Sequence, residues 1–187
     1  MKKVPKQQVL VALLRAINVG GNRRVPMAEL RALAEELGWE RVTTYIQSGN
    51  LVFAASATAR DAEEALERAL ERHFGFAVPV VVRSAATWSG YAAGSAFSDA
   101  ETVRPKLLHL GLSKRPPNPG AVDGLAKYCT SGERVELRGD ALWVDFPTGV
   151  ARSKLTPAVL DRVIGSAVTM RNWSTVQELA RMSDEAG

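Results

Sequence analysis

Leu14-Arg15-Ala16-Ile17-Asn18-Val19-Gly20-Gly21-Asn22-Arg23-Arg24-Val25-Pro26-Met27 decides how this chain is read: an apolar run ends in a Gly-Gly turn that holds basic residues, and a helix opens behind it at a proline. Upstream, Val9-Leu10-Val11-Ala12-Leu13-Leu14 is apolar at successive positions. A strand over 8–18 is therefore covered on both faces and belongs inside a sheet rather than at its edge. Downstream, Pro26 at a first helical position precedes Leu30, Leu33, Ala34 and Leu37, spaced i, i+3, i+4 and i+7 along one face. Gly38 supplies the left-handed stop.

The pattern continues outward from this βα start. Strands over 42–47 and 51–55 flank Ser48-Gly49-Asn50, a hairpin signal of turn formers between β-rich runs. A helix over 61–73 buries Ala62, Leu66, Ala69 and Leu70 and ends at Gly75, and a Val-rich strand follows over 77–83. After a stretch containing Trp88, Tyr91 and Phe97 the order restarts with a strand over 106–112. Pro116, Pro117 and Pro119 confine the next helix to 122–128. Strands over 134–137 and 141–146 pair across Arg138-Gly139-Asp140. A helix capped by Thr156 with Pro157 behind it stops at Gly165, and a strand over 167–171 closes the unit. A final helix is expected from Ser174, with Gln177 as its capping-box partner. The fold class is thus α+β: two tandem ferredoxin-like βαββαβ sandwich subdomains with antiparallel sheets, plus an extra C-terminal helix. The subdomains cover 1–85 and 105–187, with a connector over 86–104.

Composition narrows the class of protein. With 187 residues, 46% hydrophobic and 24% charged, the chain has the make-up of an ordinary globular protein. No stretch has the apolar length of a membrane span, and neither a secretory signal nor a membrane partner is expected. The lone Cys129 cannot form an internal disulfide and is read as a packing residue, which suits a reducing, cytoplasmic compartment. The net charge of +4 is local: residues 1–24 hold Lys2, Lys3, Lys6, Arg15, Arg23 and Arg24 with no acid, and the remainder is net acidic. Lys2, Lys3 and Lys6 read as a solvated tail. A cluster of this size suits a small anionic ligand better than an extended nucleic-acid surface.

In a βαββαβ sandwich of strand order 4-1-3-2, the end of the first strand and the turn between the second and third share one end of the sheet. Gly20, Gly21, Asn22, Arg23 and Arg24 then stand beside Gln47, Ser48, Gly49 and Asn50. In the second unit, the segment 146–154 stands beside Arg171, Asn172 and Trp173. Glycines let backbone N–H groups approach closely, and guanidinium forks match phosphate or carboxylate. The candidate ligand-binding residues are Arg15, Asn18, Gly20, Gly21, Asn22, Arg24, Gln47, Ser48 and Asn50 in the first unit, and Arg152, Ser153, Lys154, Arg171 and Asn172 in the second. Both sets are donor-rich, and one cleft uniting them is the expectation. The competing reading is ordinary turn and cap chemistry.

Standard catalytic motifs are absent: no phosphate loop, no Gly-x-Gly-x-x-Gly after a strand, no His-Glu-x-x-His. His73 and His109 lack a paired ligand nearby in sequence and read as structural, and neither a metal nor a cofactor is implied. Asp140 and Asp145 form no evident acid–base pair. Trp143 and Phe53 read as core, and Trp173 as the residue docking the last helix.

At these motifs the chain resembles a bacterial family, the domain of unknown function 1697 family. The resemblance rests on 14–21 with Val25-Pro26-Met27, on Thr44-Tyr45-Ile46-Gln47-Ser48-Gly49-Asn50 with Val52-Phe53, and on Arg171-Asn172-Trp173 with Thr175-Val176. Ala16 stands where the family pattern has Gly, and Ser174 where it often has Asn. The resemblance implies a two-subdomain α+β fold and supplies no substrate or catalytic residue.

Three functions remain in competition. The first is binding, with or without turnover, of a phosphorylated or carboxylated small molecule between the units. The second is a nucleic-acid module, which tandem βαββαβ units can form. It is weakened because residues 9–14 carry no aromatic for base stacking and 51–55 only Phe53. The third is a protein-interaction scaffold.

Overall fold

The structure, a computed structural model, describes residues 6–21 and 23–187. By its internal contacts the chain falls into two units, one running to Ser89 and including Leu179–Gly187, the other Gly90–Glu178. Each holds one four-stranded antiparallel sheet with helices, in the βαββαβ order read from the sequence.

In the first unit β1 (Gln8–Leu14), β2 (Glu40–Tyr45), β3 (Asn50–Ala55) and β4 (Val80–Ser84) lie in the order β2-β3-β1-β4. The doubly apolar β1 is central for the reason its sequence suggests. Leu10, Ala12 and Leu14 enter the core under helices α1 (Met27–Glu36) and α2 (Ala59–Phe74), while Val11 and Leu13 on the other face are buried as well. The strand is shorter than expected. Past Leu14 the chain turns left-handed at Ala16 (φ 54°) and Asn18 (φ 56°), a backbone no strand can hold, so 15–18 leave the sheet. Pro26 serves as the extended residue ahead of α1 rather than as its first helical residue. α2 begins two residues earlier than its periodicity indicates, because the Thr58 side chain accepts from the Asp61 N–H, and it stops at a left-handed Gly75.

The second unit repeats the plan. Here β5 (Leu108–Ser113), β6 (Arg134–Arg138), β7 (Ala141–Asp145) and β8 (Val168–Asn172) lie in the order β6-β7-β5-β8. Helices α5 (Ala121–Ala126) and α6 (Pro157–Ile164) cover a core of Leu125, Leu142, Val144, Phe146, Leu160 and Ile164. Thr156 caps α6 and Gly165 ends it. The segment read as a connector contains two helices, α3 (Ala85–Ala92) and α4 (Ser98–Val103). Each is too short to show a helical period. Arg138 donates to the Ser95 carbonyl at 2.7 Å and the Tyr91 hydroxyl to Asp140 at 2.7 Å, so the segment is stitched to the β6–β7 hairpin.

The start of the last helix corrects the sequence reading. α7 (Trp173–Glu185) begins before Ser174, and its cap is Asn172, whose Oδ1 accepts from the Thr175 N–H at 2.9 Å. Gln177 donates instead to the Ala92 carbonyl at 2.8 Å, so the Ser174–Gln177 capping box does not form. The capping residue is fixed by where β8 ends, one residue before the helix.

Candidate functional site

The loop after β1 is shaped by one side chain. Asn18 donates from Nδ2 to the Val25 carbonyl (3.0 Å) and the Gln47 carbonyl (2.8 Å), and its Oδ1 accepts from the Val25 N–H (2.9 Å). Its own N–H donates to the Arg23 carbonyl at 3.1 Å. Both amide groups are thereby consumed in closing the loop and fastening it to the β2–β3 turn. That turn has its own clamp. The fully buried Asn50 donates to the Tyr45 carbonyl (2.8 Å) and to Ser48 Oγ (3.1 Å). Gly49, at φ 78°, lies so close to β1 that an added Cβ would stand 2.6 Å from Ile17 Cδ1 and 2.8 Å from Leu14 Cβ. Its carbonyl accepts from the Leu14 N–H at 2.8 Å.

Loop and turn meet around a cavity of about 330 Å³ lined by Asn18, Gly21, Arg24 and Gln47. These four belong to the set singled out in the sequence. Arg24 and Gln47 are exposed, and neither side chain has a hydrogen-bond or ion-pair partner among the described residues. Gly20 (φ 62°) and Gly21 (φ 78°) are exposed in the left-handed region. Arg15 is half-buried, with its N–H donating to the Pro79 carbonyl at 3.0 Å and its side chain in an interaction of its own. Asn22 lies outside the described residues. A second cavity of about 290 Å³, lined by Leu33, Glu36, Leu37, Ala69, Arg72 and His73, carries charges of both signs.

The candidates of the second unit are placed differently. Ends of β7 and β8 do flank the start of β5, with Asp145 opposite Leu108 and Asn172 opposite His109. Their polar groups, however, serve the fold. Ser153 accepts from the Leu155 N–H at 3.1 Å, and the Ser131 N–H donates to Glu133 at 2.7 Å. Burial pushes the Glu133 carboxyl up, but the nearby Ser153 hydroxyl, backbone N–H groups and the Lys154 charge bring it below its ordinary value. Arg171 is buried, and desolvation pushes its guanidinium down to about 10. Asn172 is the α7 cap. Arg152, in a short 3₁₀ turn (Val150–Arg152), and Lys154 are exposed.

One constellation escaped the sequence reading. Asp145, fully buried, accepts from Arg104 at 2.8 Å (Nε) and 2.7 Å (Nη2), and from Arg134 at 2.9 Å (Nε) and 2.8 Å (Nη2). Asp99 completes the network, bonding Arg134 at 2.8 Å and Arg104 at 3.2 Å, and Arg134 lies 4.5 Å over the Phe97 ring. Both arginines are held by carboxylates through Nε and Nη2, so the cluster ties α4 to the sheet. A signal existed: pairing across Arg138-Gly139-Asp140 sets Arg134 opposite Asp145.

The remaining titratable groups hold elements together. His73 Nε2 stands 2.8 Å from Glu29 Oε2, joining α2 to α1. Burial pushes the His109 imidazole below its ordinary value, and its Nδ1 faces the Leu107 carbonyl at 3.1 Å. Burial pushes the Cys129 thiol up. Among the described residues no three potential ligands converge on a metal position. Phe53 is buried and stacked on Trp39 with centroids 4.0 Å apart, so it presents no face to a nucleobase. Trp143 and Trp173 meet edge to face at 5.7 Å.

A family profile described as protein of unknown function (DUF1697) matches residues 8–143. Among solved structures, a conserved bacterial protein of Streptococcus pneumoniae is similar in fold, with a TM-score of 0.70 at 22% identity over 95% of this chain and 99% of that one. An unknown protein from Galdieria sulphuraria aligns over 89% of this chain and 99% of its own at 14% identity, with a TM-score of 0.25. No curated protein matches the chain.

Proposed function

The chain belongs to the family described as protein of unknown function (DUF1697), and from its own site we propose that the first unit binds a small phosphorylated or carboxylated ligand in the pocket of Asn18, Gly21, Arg24 and Gln47. The observation that carries this reading is the division of labour among those residues. Asn18 and Asn50 spend their amides on the backbone, which holds the loop and turn in one arrangement. Arg24 and Gln47 then border the cavity with donors that nothing in the described chain engages. A guanidinium fork and a carboxamide on a rigid support are suited to an oxyanion, and a rigid support spares the ordering cost of binding. α1 opens three residues after Arg24 with no side chain capping its first N–H groups, which favours negative charge at that end.

Nucleic acid ranks second. Its support is limited to the exposed arginines of the loop, because Phe53, the one aromatic of the two central strands, is stacked on Trp39 in the core under α1 and α2 and offers no base a stacking surface. Among the described residues no helix is long and apolar enough to cross a membrane. A cytoplasmic location is part of the proposal and rests on the single free Cys129. The test is calorimetric titration of inorganic phosphate into the parent and into Arg24→Ala. The variant is expected to bind about 1–3 kcal/mol more weakly with unchanged folding, as for a lost charge-assisted contact. Equal affinities would remove Arg24 from the site and with it the reading.

A further inference from the structure

Resting on that reading, we infer that the ligand is a phosphate ester carrying an apolar group, and that Val19 and Ile46 form the rim which the apolar group covers. These are two of the large hydrophobic residues that stand exposed, Val19 at 70% and Ile46 at 50%. Each is the chain neighbour of a pocket-lining residue, Asn18 and Gln47, and the Asn18 Nδ2 to Gln47 carbonyl hydrogen bond of 2.8 Å holds the two segments together. Two exposed aliphatic residues thus adjoin, along the chain, residues that line a polar pocket at one end of the sheet.

A single exposed aliphatic is ordinary on a protein surface. Ile46 is not ordinary. Its φ of 48° lies in the left-handed region, where a β-branched residue is an outlier and Asn or Gly the usual occupant. Turn geometry alone would be served better by Asn, and a half-exposed side chain recovers little of that strain by packing within the chain. What position 46 keeps by holding Ile is exposed apolar surface on the residue next to pocket-lining Gln47. Size and charge agree. A cavity of about 330 Å³ lies at the small end of small-molecule sites, roughly 300–1,000 Å³, and is too large for a bare oxyanion to fill. Arg23 and Arg24 are both exposed with no carboxylate partner among the described residues. Arg24 and the Gln47 amide line the pocket and Arg23 adds a second positive charge next along the chain, a set that suits the several oxygens and the charge of a phosphate monoester better than a single carboxylate.

Such an ester could be a soluble aryl or alkyl phosphate or the headgroup of an anionic phospholipid, and the experiment separates the two. Inorganic phosphate and phenyl phosphate are titrated calorimetrically into the full chain and into Arg24→Ala, Ile46→Asn and Val19→Ser. Sedimentation with phosphatidylcholine vesicles, with and without phosphatidic acid, runs alongside. For a soluble ester, phenyl phosphate binds the parent about tenfold more tightly than inorganic phosphate, the effect of covering a few tens of Å² of aliphatic surface. Ile46→Asn and Val19→Ser erase most of that ratio, Arg24→Ala weakens both ligands, and Ile46→Asn leaves the melting temperature unchanged or higher because Asn accepts the left-handed backbone. For a lipid, phosphatidic acid drives sedimentation and Ile46→Asn abolishes it. If neither phosphate nor vesicle binds, or if Arg24→Ala changes nothing, the anion pocket itself falls and this inference with it. If Arg24→Ala weakens binding while the two rim variants leave both the ligand ratio and the vesicle binding unaltered, the apolar rim alone is refuted.

Discussion

Replacing Asp145 by Asn removes one charge from the best-connected ion cluster of the second unit without changing its volume. Asp145 has no exposed surface, and four donor contacts between 2.7 and 2.9 Å reach it from Arg104 and Arg134. In Asp145→Asn a carboxamide N–H₂ is forced toward guanidinium donors, and two arginines keep only Asp99, whose side chain is 57% exposed. Breaking a buried ion pair by removing one partner costs about 3–5 kcal/mol, which for a chain of this size lowers the melting temperature by roughly 6–20 °C. Asp99→Asn is the control. It leaves both arginines on Asp145 and should cost far less than Asp145→Asn, as an exposed pair contributes little. Equilibrium urea unfolding followed by tryptophan fluorescence measures both, since Trp143 sits beside the cluster on β7. Acid provides a second axis. Burial pushes the Asp145 carboxyl up, yet hydrogen bonds and charge from the two arginines outweigh it and leave the group below its ordinary value. Its contribution is therefore present above the unfolded-state carboxyl range and lost as pH falls through the lower folded value. The parent should lose stability on that acid limb, and Asp145→Asn should lose correspondingly less. A variant within about 1 kcal/mol of the parent at neutral pH, or one with the parent's full acid limb, would refute a structural role for the cluster.

Three further outcomes follow from the loop that walls the pocket. Gly49→Ala should destabilise by about 2–5 kcal/mol, combining the left-handed penalty with overlap against Leu14 Cβ and Ile17. Gly20→Ala, at φ 62° with nothing within 4 Å of the added Cβ, should cost only about 1–2 kcal/mol, and equal losses at the two positions in urea unfolding would contradict the close-approach argument. Ala16→Gly should stabilise by up to about 1 kcal/mol, because relief of a non-glycine residue at φ 54° exceeds the entropy glycine adds to the unfolded chain. A lower urea midpoint for this variant would show that the strain assigned to Ala16 is relieved by contacts the glycine lacks.

What could be read from the sequence was whatever a few neighbouring residues decide among themselves. Apolar runs, helical spacing and the stops at Gly38, Gly75 and Gly165 are local properties, so the α+β class, the order of elements and the central position of β1 were all legible. The antiparallel strand order by itself brings Asn18 beside Gln47. Local reasoning failed where a residue's role depends on a group far along the chain. Asn18 and Asn50 look like ligand donors until the carbonyls that consume their amides are seen, and Asn172 looks like one until the helix it caps is seen to start at Trp173. Asp145 looks like an isolated strand carboxylate because Arg104, 41 residues away, reaches it only once α4 is folded against the sheet. A donor's chemistry is written in its own side chain, but whether that donor is spent or available is set by which partners tertiary packing brings within about 3 Å of it. For the same reason Arg24 and Gln47 emerged as the available pair only when the loop had closed around Asn18.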